Sequence, residues 1–134
     1  MPTSTGPSVL EAHAAWALVI AYSVSLIYEL WRATARAGTS KHDSMSTFLR
    51  QDLILYVAAA TVIFLLFAGV AGAAWIGLAF CVLLILVSIF YYNPKIMLER
   101  NPTLIDWFED FLYTGLLFVA GVLLLYEVAG RSLV

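Results

Sequence analysis

Four stretches of the chain are long and predominantly apolar: residues 9–31, 47–70, 74–92 and 103–128. A helix needs about 20 such residues to cross the hydrocarbon of a bilayer. At about 1.5 Å per residue each stretch crosses with room for some tilt. Polar punctuation frames them. Ser8-Val9-Leu10-Glu11 reads as a capping box that starts the first helix. Tyr28, Trp31 and Arg32 form an interfacial cluster at its end, before a polar connector over 33–46. Ala71-Gly72-Ala73 predicts a tight turn between the second and third spans. Asn93-Pro94 predicts the end of the third, because proline disfavours helix in the residue before it. Residues 95–100 suit one short interfacial turn, with Lys95 and Glu99 four apart. After Asn101-Pro102, Thr103 caps the fourth span. The pattern predicts an all-α integral membrane protein, a four-transmembrane-helix bundle forming a single domain over 1–134.

Composition agrees. The chain is 63% hydrophobic and 12% charged, about half the charged fraction of an ordinary soluble domain. A net charge of −2 gives no case for binding nucleic acid. Residues 1–9 hold no Lys or Arg and no cleavage pattern follows, so the first span is expected to stay in the mature protein. Charge also sets an orientation. Arg32, Arg36, Lys41, Arg50, Lys95 and Arg100 belong to the two polar connectors, against Arg131 alone on the other side. The positive-inside rule then puts both connectors in the cytoplasm and both termini outside, as in a multi-pass protein of the plasma membrane.

The candidate chemistry is acidic. Glu29 ends span 1, Asp52 begins span 2, and Asp106, Glu109 and Asp110 begin span 4. On a helix Asp106, Glu109, Asp110 and Tyr113 share one face, while Trp107, Phe108 and Phe111 take the other. Asp52 and Tyr56 repeat that spacing. Ionisable groups at membrane depth are functional candidates because burying them costs several kcal/mol unless they are paired. One expectation is a cation-attracting vestibule or proton relay at a cytoplasmic mouth. The structural alternative is that Arg32, Arg36, Arg50 and Arg100 neutralise the acids, that Asp106 completes a cap with Thr103, and that Glu29 sits among the headgroups.

A second pattern runs along span 1: His13, Ala17, Ala21, Ser25 and Glu29, each four apart. Ala17 and Ala21 allow a close helix approach, Ser25 can hydrogen-bond across the seam, and Gly115 and Gly121 suggest the same on span 4. The sharper reading makes His13 and Glu29 the two mouths of a polar path. Glu11, His13 and Glu127 fall on the outer side, but two histidines and one cysteine give no self-contained metal set. Cys81 reads as a small buried apolar residue. No nucleophile motif and no cofactor are expected.

One local segment resembles a known family. Asn93-Pro94 followed by Phe108-Glu109-Asp110-Phe111-Leu112-Tyr113 is similar to the Asn-Pro and acidic-pair segments of the small carotenoid (lycopene) cyclase subunits. The resemblance implies a membrane enzyme acting on an apolar lipid, with Glu109 and Asp110 as its acids. Trp107 stands where the family has a proline, and a fourth span stands where three would be expected.

With no catalytic set and abundant apolar surface, the economical expectation is a small accessory subunit that packs against other integral-membrane subunits, with bound lipids. The alternatives are a homo-oligomeric cation or proton channel or small transporter, and a lipid-directed membrane enzyme of the cyclase-subunit type. Amine labelling of sealed vesicles from one side should modify Lys41 and Lys95 together; labelling from opposite sides would break the predicted topology.

Overall fold

The computed structural model describes residues 6–133, with side chains through residue 130. The described residues form an all-helical arrangement with no strand. Four long helices dominate: α1 (Val9–Thr34), α2 (Met45–Ala68), α3 (Ala73–Arg100) and α4 (Leu104–Leu133). All four are long and apolar enough to cross a membrane. Each packs on its neighbours in sequence, and α1 closes the ring against α4 in the most extensive of the helix contacts. The short connectors make this an up-and-down bundle.

The capping box at Ser8 is present in full: the Glu11 amide donates to Ser8 Oγ at 3.0 Å, and the Ser8 amide to Glu11 Oε1 at 2.9 Å. Ser8 Oγ also donates to Glu127 Oε1 at 2.7 Å. That bond ties the start of α1 to the end of α4; the side chain of Arg131, four residues beyond Glu127, lies outside the described residues. Between the ends runs a dry core of Leu18, Leu66, Cys81, Leu117, Ala120 and Leu124, all fully buried.

Small residues set the spacing as expected on α1, where Ala17, Ala21 and Ser25 are buried. Ser25 Oγ and the Tyr56 hydroxyl lie 2.8 Å apart across the seam. Gly121 is buried against Cys81, and at Gly77 a Cβ would stand 2.8 Å from Leu124 Cδ1. Gly115 departs from expectation: it is exposed, with open space where a side chain would go. The inward face of α4 is marked by Tyr113, Leu117, Ala120 and Leu124, and Gly115 lies two residues from both Tyr113 and Leu117. Two residues on a helix is more than half a turn, which turns Gly115 outward. The same geometry separates His13 from Glu29. A spacing of four drifts by about 40° per step, so the stripe has rotated to the far side over four steps. His13 is exposed and, among the described residues, hydrogen-bonded to the Val9 carbonyl of its own helix at 2.8 Å.

Two connections differ from the sequence expectation. The α2–α3 turn is opened by Gly69 as well as Gly72, with φ of 68° and 83°. Backbone of Gly6 lies across Gly69, where a Cβ would meet it at 2.6 Å. Asn93-Pro94 does not stop the third helix. The chain widens into π-helical turns over Ser88–Met97 and then tightens into a 3₁₀ turn, Leu98–Arg100. Widened turns relieve the clash between the proline ring and the preceding carbonyl that would end an ordinary α-helix. Asn101, with φ of 54°, turns the chain into α4. A second widened stretch, Phe48–Asp52, lies near the start of α2.

The outer faces carry Ile54, Phe64, Phe90, Phe108 and Phe111, each about 70% exposed, in keeping with a lipid-facing surface. Gly77→Leu should destabilise the bundle by about 1–3 kcal/mol through overpacking against Leu124 and Leu66. Gly115→Leu should change stability by less than about 0.5 kcal/mol. Thermal unfolding in detergent micelles compares the two.

Candidate functional site

The acids predicted to gather at one end of the bundle do gather there, but they divide into two layers, one paired with arginines and one not. The outer layer is a closed ionic lid. Arg32, fully buried, grips Asp43 with both arms: Nε to Oδ1 at 2.9 Å and Nη2 to Oδ2 at 2.6 Å. Its Nη1 lies 3.3 Å from Asp106 Oδ1, and its Nη2 also donates to the Arg100 carbonyl at 2.9 Å. Arg100 grips Glu29 in the same way, Nη1 to Oε2 at 3.0 Å and Nη2 to Oε1 at 2.7 Å. Its Nε stands 3.2 Å from Asp43 Oδ1 without hydrogen-bond alignment. Tyr28 and Tyr92 rings flank the guanidinium, with centroids 5.9 and 6.0 Å away.

Asp106 accepts from the Tyr28 hydroxyl and, through Oδ2, from the Thr103 amide at 2.7 Å and hydroxyl at 2.8 Å. The expected cap with Thr103 is therefore made. Ser40 Oγ donates to Asp43 at 2.8 Å. The connector between α1 and α2 is thus pinned over the bundle end by one aspartate shared between two arginines. Glu99 does not pair with Lys95; it takes Lys41 at 3.3 Å and His42 at 2.8 Å, at an exposed site where such pairs contribute about 0–1 kcal/mol.

The inner layer is a pocket beneath that lid. Glu29 and Tyr92 form its roof, Asp52, Leu55 and Tyr56 come from α2, Leu84, Val87 and Ser88 from α3, and Glu109, Asp110 and Tyr113 from α4. Its volume open to the centres of water-sized molecules is about 100 Å³, room for several waters at roughly 10–15 Å³ each. Glu109 and Asp110 are 8% and 4% exposed. Among the described residues no Lys or Arg makes an ion pair with Asp52, Glu109 or Asp110. Asp52 lies beside Glu29, and Asp110 beside Asn93, whose buried Oδ1 has no hydrogen-bond partner.

The two widened turns place this chemistry. They carry Asp52 on α2 and Ser88, Tyr92 and Asn93 on α3, and such turns recur at functional sites. The pocket floor is polar but closed. Tyr113 and Tyr22 hydroxyls lie 2.8 Å apart, Ser88 and Thr114 hydroxyls 3.1 Å apart, and the rings of Tyr22, Tyr56, Tyr113 and Phe80 pack edge to face or tilted. Beyond them lies the dry core of leucines. With the lid on one side and that core on the other, the pocket opens sideways. Of its lining, Ser25, Leu84, Ser88, Glu109 and Asp110 are buried; Asp52, Leu55, Tyr56, Val87 and Tyr92, on α2 and α3, are partly exposed, as are Glu29 and Tyr113 on α1 and α4. These two helices also touch each other least of the neighbouring pairs.

Several expectations change accordingly. Glu29 is not a free surface charge; its side chain is 12% exposed and bound to Arg100. Arg50 does not neutralise the cluster, because it is exposed and donates to Ser46 Oγ, 2.7 Å away on its own helix. Arg36 stacks on Trp31 at 5.5 Å. A single vestibule at the bundle end is replaced by a lid and a side pocket. Asp43 is the residue that sequence reading missed. It sits in a polar connector where nothing distinguishes it from a solvated charge, and only the fold brings Arg32 and Arg100 to it.

Arg32→Met should lower stability by about 3–5 kcal/mol, because it strands Asp43 and Asp106 in a buried site. Arg50→Met should stay within about 0.5 kcal/mol of the parent. Equal effects in thermal unfolding would contradict the lid.

Comparison with protein-family models, with curated proteins and with solved structures finds no match to this chain.

Proposed function

We propose that this chain is a multi-pass membrane protein that binds a cation in the side pocket, as a small transporter or ligand-holding protein. The observation that carries the reading is Glu109: buried, lining a water-sized cavity, and in no ion pair among the described residues. Asp110 shares that condition, and Asp52, partly exposed, lines the same cavity with no ion pair among the described residues. Two arginines lie close by, but both are engaged with Glu29, Asp43 and Asp106 in the lid. An unpaired buried charge costs several kcal/mol, so the counter-charge for three acids comes from a proton or a bound cation. Tyr56, Tyr92 and Tyr113 add hydroxyl oxygens and ring faces, both of which favour cations. The connector end faces the cytoplasm of the plasma membrane on this reading, from the loop charges, so the pocket belongs to the inner half of the bilayer.

The closed floor argues against an open pore through a single bundle. Movement of a cation across the membrane then requires a rearrangement of the helices or assembly with further copies. A second reading, proton donation to an apolar lipid by Glu109 and Asp110, gains support from the sideways opening, since both acids line a pocket reachable from the bilayer. The accessory-subunit reading draws on the exposed apolar faces, which lipid covers as well as another subunit does, and it gives the pocket no task. Other chains recovered stoichiometrically with the protein in mild detergent would favour it.

Isothermal titration on the protein in lipid nanodiscs tests the cation reading with potassium, sodium, tetramethylammonium and dodecyltrimethylammonium. At least one should bind saturably, and Glu109→Gln or Asp52→Asn should weaken it tenfold or more. Because these variants remove unpaired buried charge, they should leave thermal stability unchanged or raised, unlike Arg32→Met. Absence of saturable binding by any of the four would end the reading.

A further inference from the structure

From the shape of the pocket and its one open side we infer that the ligand is an amphiphilic organic cation drawn from the bilayer, with its ammonium head among the carboxylates and its tail leaving between α2 and α3. The inference rests on the cation reading and narrows it.

Three observations converge. The axial route from the connector end is shut by Arg32, Asp43 and Arg100, each no more than 3% exposed. The opposite axial route is filled by Leu18, Leu66, Leu117 and Leu124, all fully buried. The remaining side is the α2–α3 gap, and it does not lie at the end of the bundle. Asp52 stands seven residues into α2, and Val87 thirteen residues before the end of α3, which is roughly 10 and 20 Å along the helix axes from the connector end. A solute arriving by that gap comes from the membrane.

The rim is apolar. Leu55 and Val87 line the opening, Val87 being 38% exposed, and Ile54, Leu86 and Phe90 continue the same surface outward. The interior beyond the rim is acidic and aromatic. A ligand matching both regions has a positive head and a hydrocarbon tail. A phospholipid matches poorly, because the phosphate next to its amine would meet the same carboxylates. The chemistry therefore selects a lipophilic ammonium without an adjoining phosphate. Leu55 and Val87 would act as specificity-determining residues that pass the tail, while Asp52, Glu109 and Asp110 hold the head.

The test uses the full chain in nanodiscs, with empty nanodiscs as the baseline for partitioning. Dodecyltrimethylammonium should bind saturably and at least tenfold more tightly than tetramethylammonium or potassium. Dodecanol, which has the tail without the charge, should show no saturable binding. Val87→Trp should weaken or slow dodecyltrimethylammonium binding tenfold or more, whereas Val122→Trp, exposed on α4 and outside the pocket lining, should not. Both sites face outward, so folding is expected to survive, and the elution profile and helical content check it. Tetramethylammonium or potassium binding as tightly as the amphiphile, with Val87→Trp indifferent, would overturn access from the bilayer and leave the cation reading standing. Saturable dodecanol binding of equal strength would overturn the role of charge. Failure of every cation would remove the broader reading as well.

Discussion

Asp43 held between Arg32 and Arg100 is the contact on which the connector end depends. Two guanidiniums at close range repel, and in a buried site that repulsion is poorly screened. One carboxylate placed between them, with Asp106 and Glu29 on their outer sides, turns three helices and a loop into a single block. Removing either guanidinium leaves carboxylates uncompensated in a low-dielectric site, which is why such clusters are costly to break even where they contribute little to net stability. The lid thus fixes α1 through Arg32, α3 through Arg100 and α4 through Asp106, and it brings the α1–α2 connector down over them.

That division of charge makes the pocket chemically distinct. Five acids from three helices were expected to share one environment. Arg32 and Arg100 are shared among Asp43, Asp106 and Glu29, two positive charges against three carboxylates, so neither guanidinium is left over for Asp52, Glu109 and Asp110. Compensated and uncompensated carboxylates then sit one turn apart on the same helix: Asp106 in the lid, Glu109 and Asp110 beneath it. Tyrosines mark the border, with Tyr28 and Tyr92 against Arg100 and Tyr56 and Tyr113 turned to the cavity.

Much of this was legible in the sequence. Span length and hydropathy gave the four helices, a period of 3.6 put Asp106, Glu109 and Asp110 on an inward face of α4, and Ser8 with Glu11 marked the start of α1. What the sequence concealed was of another kind. Proline rules describe α-helices and fail at Pro94, where the backbone had already widened. A spacing of four reads as a stripe over two turns and as a spiral over five, which misplaced His13. Sequence proximity made Arg50 look as suitable as Arg100, yet partner choice is a matter of which helix face points inward. Asp43 had no local signal, because its role exists only once remote segments meet.

The sideways opening follows from where small residues are spent. Along α1, Ala14, Ala17 and Ala21 are buried and α1 makes its most extensive contact with α4, and on α3 Gly77 admits Leu124 of α4. These seams pull three helices into contact over most of their length. On α2 the inward position nearest the core is Ala59, also small, and there α2 packs tightly. One and two turns closer to the connector the inward residues become Tyr56 and Asp52, bulky and polar in turn. A helix that presents alanine at one height and tyrosine then aspartate below it cannot keep the same distance from its neighbours throughout. α2 and α3 touch each other least of the neighbouring pairs, both carry widened turns, and the pocket lies among all four helices beside that seam. The acids are placed where Tyr56, Tyr92 and Tyr113 hold the helices around a cavity, and the lid above closes its connector end.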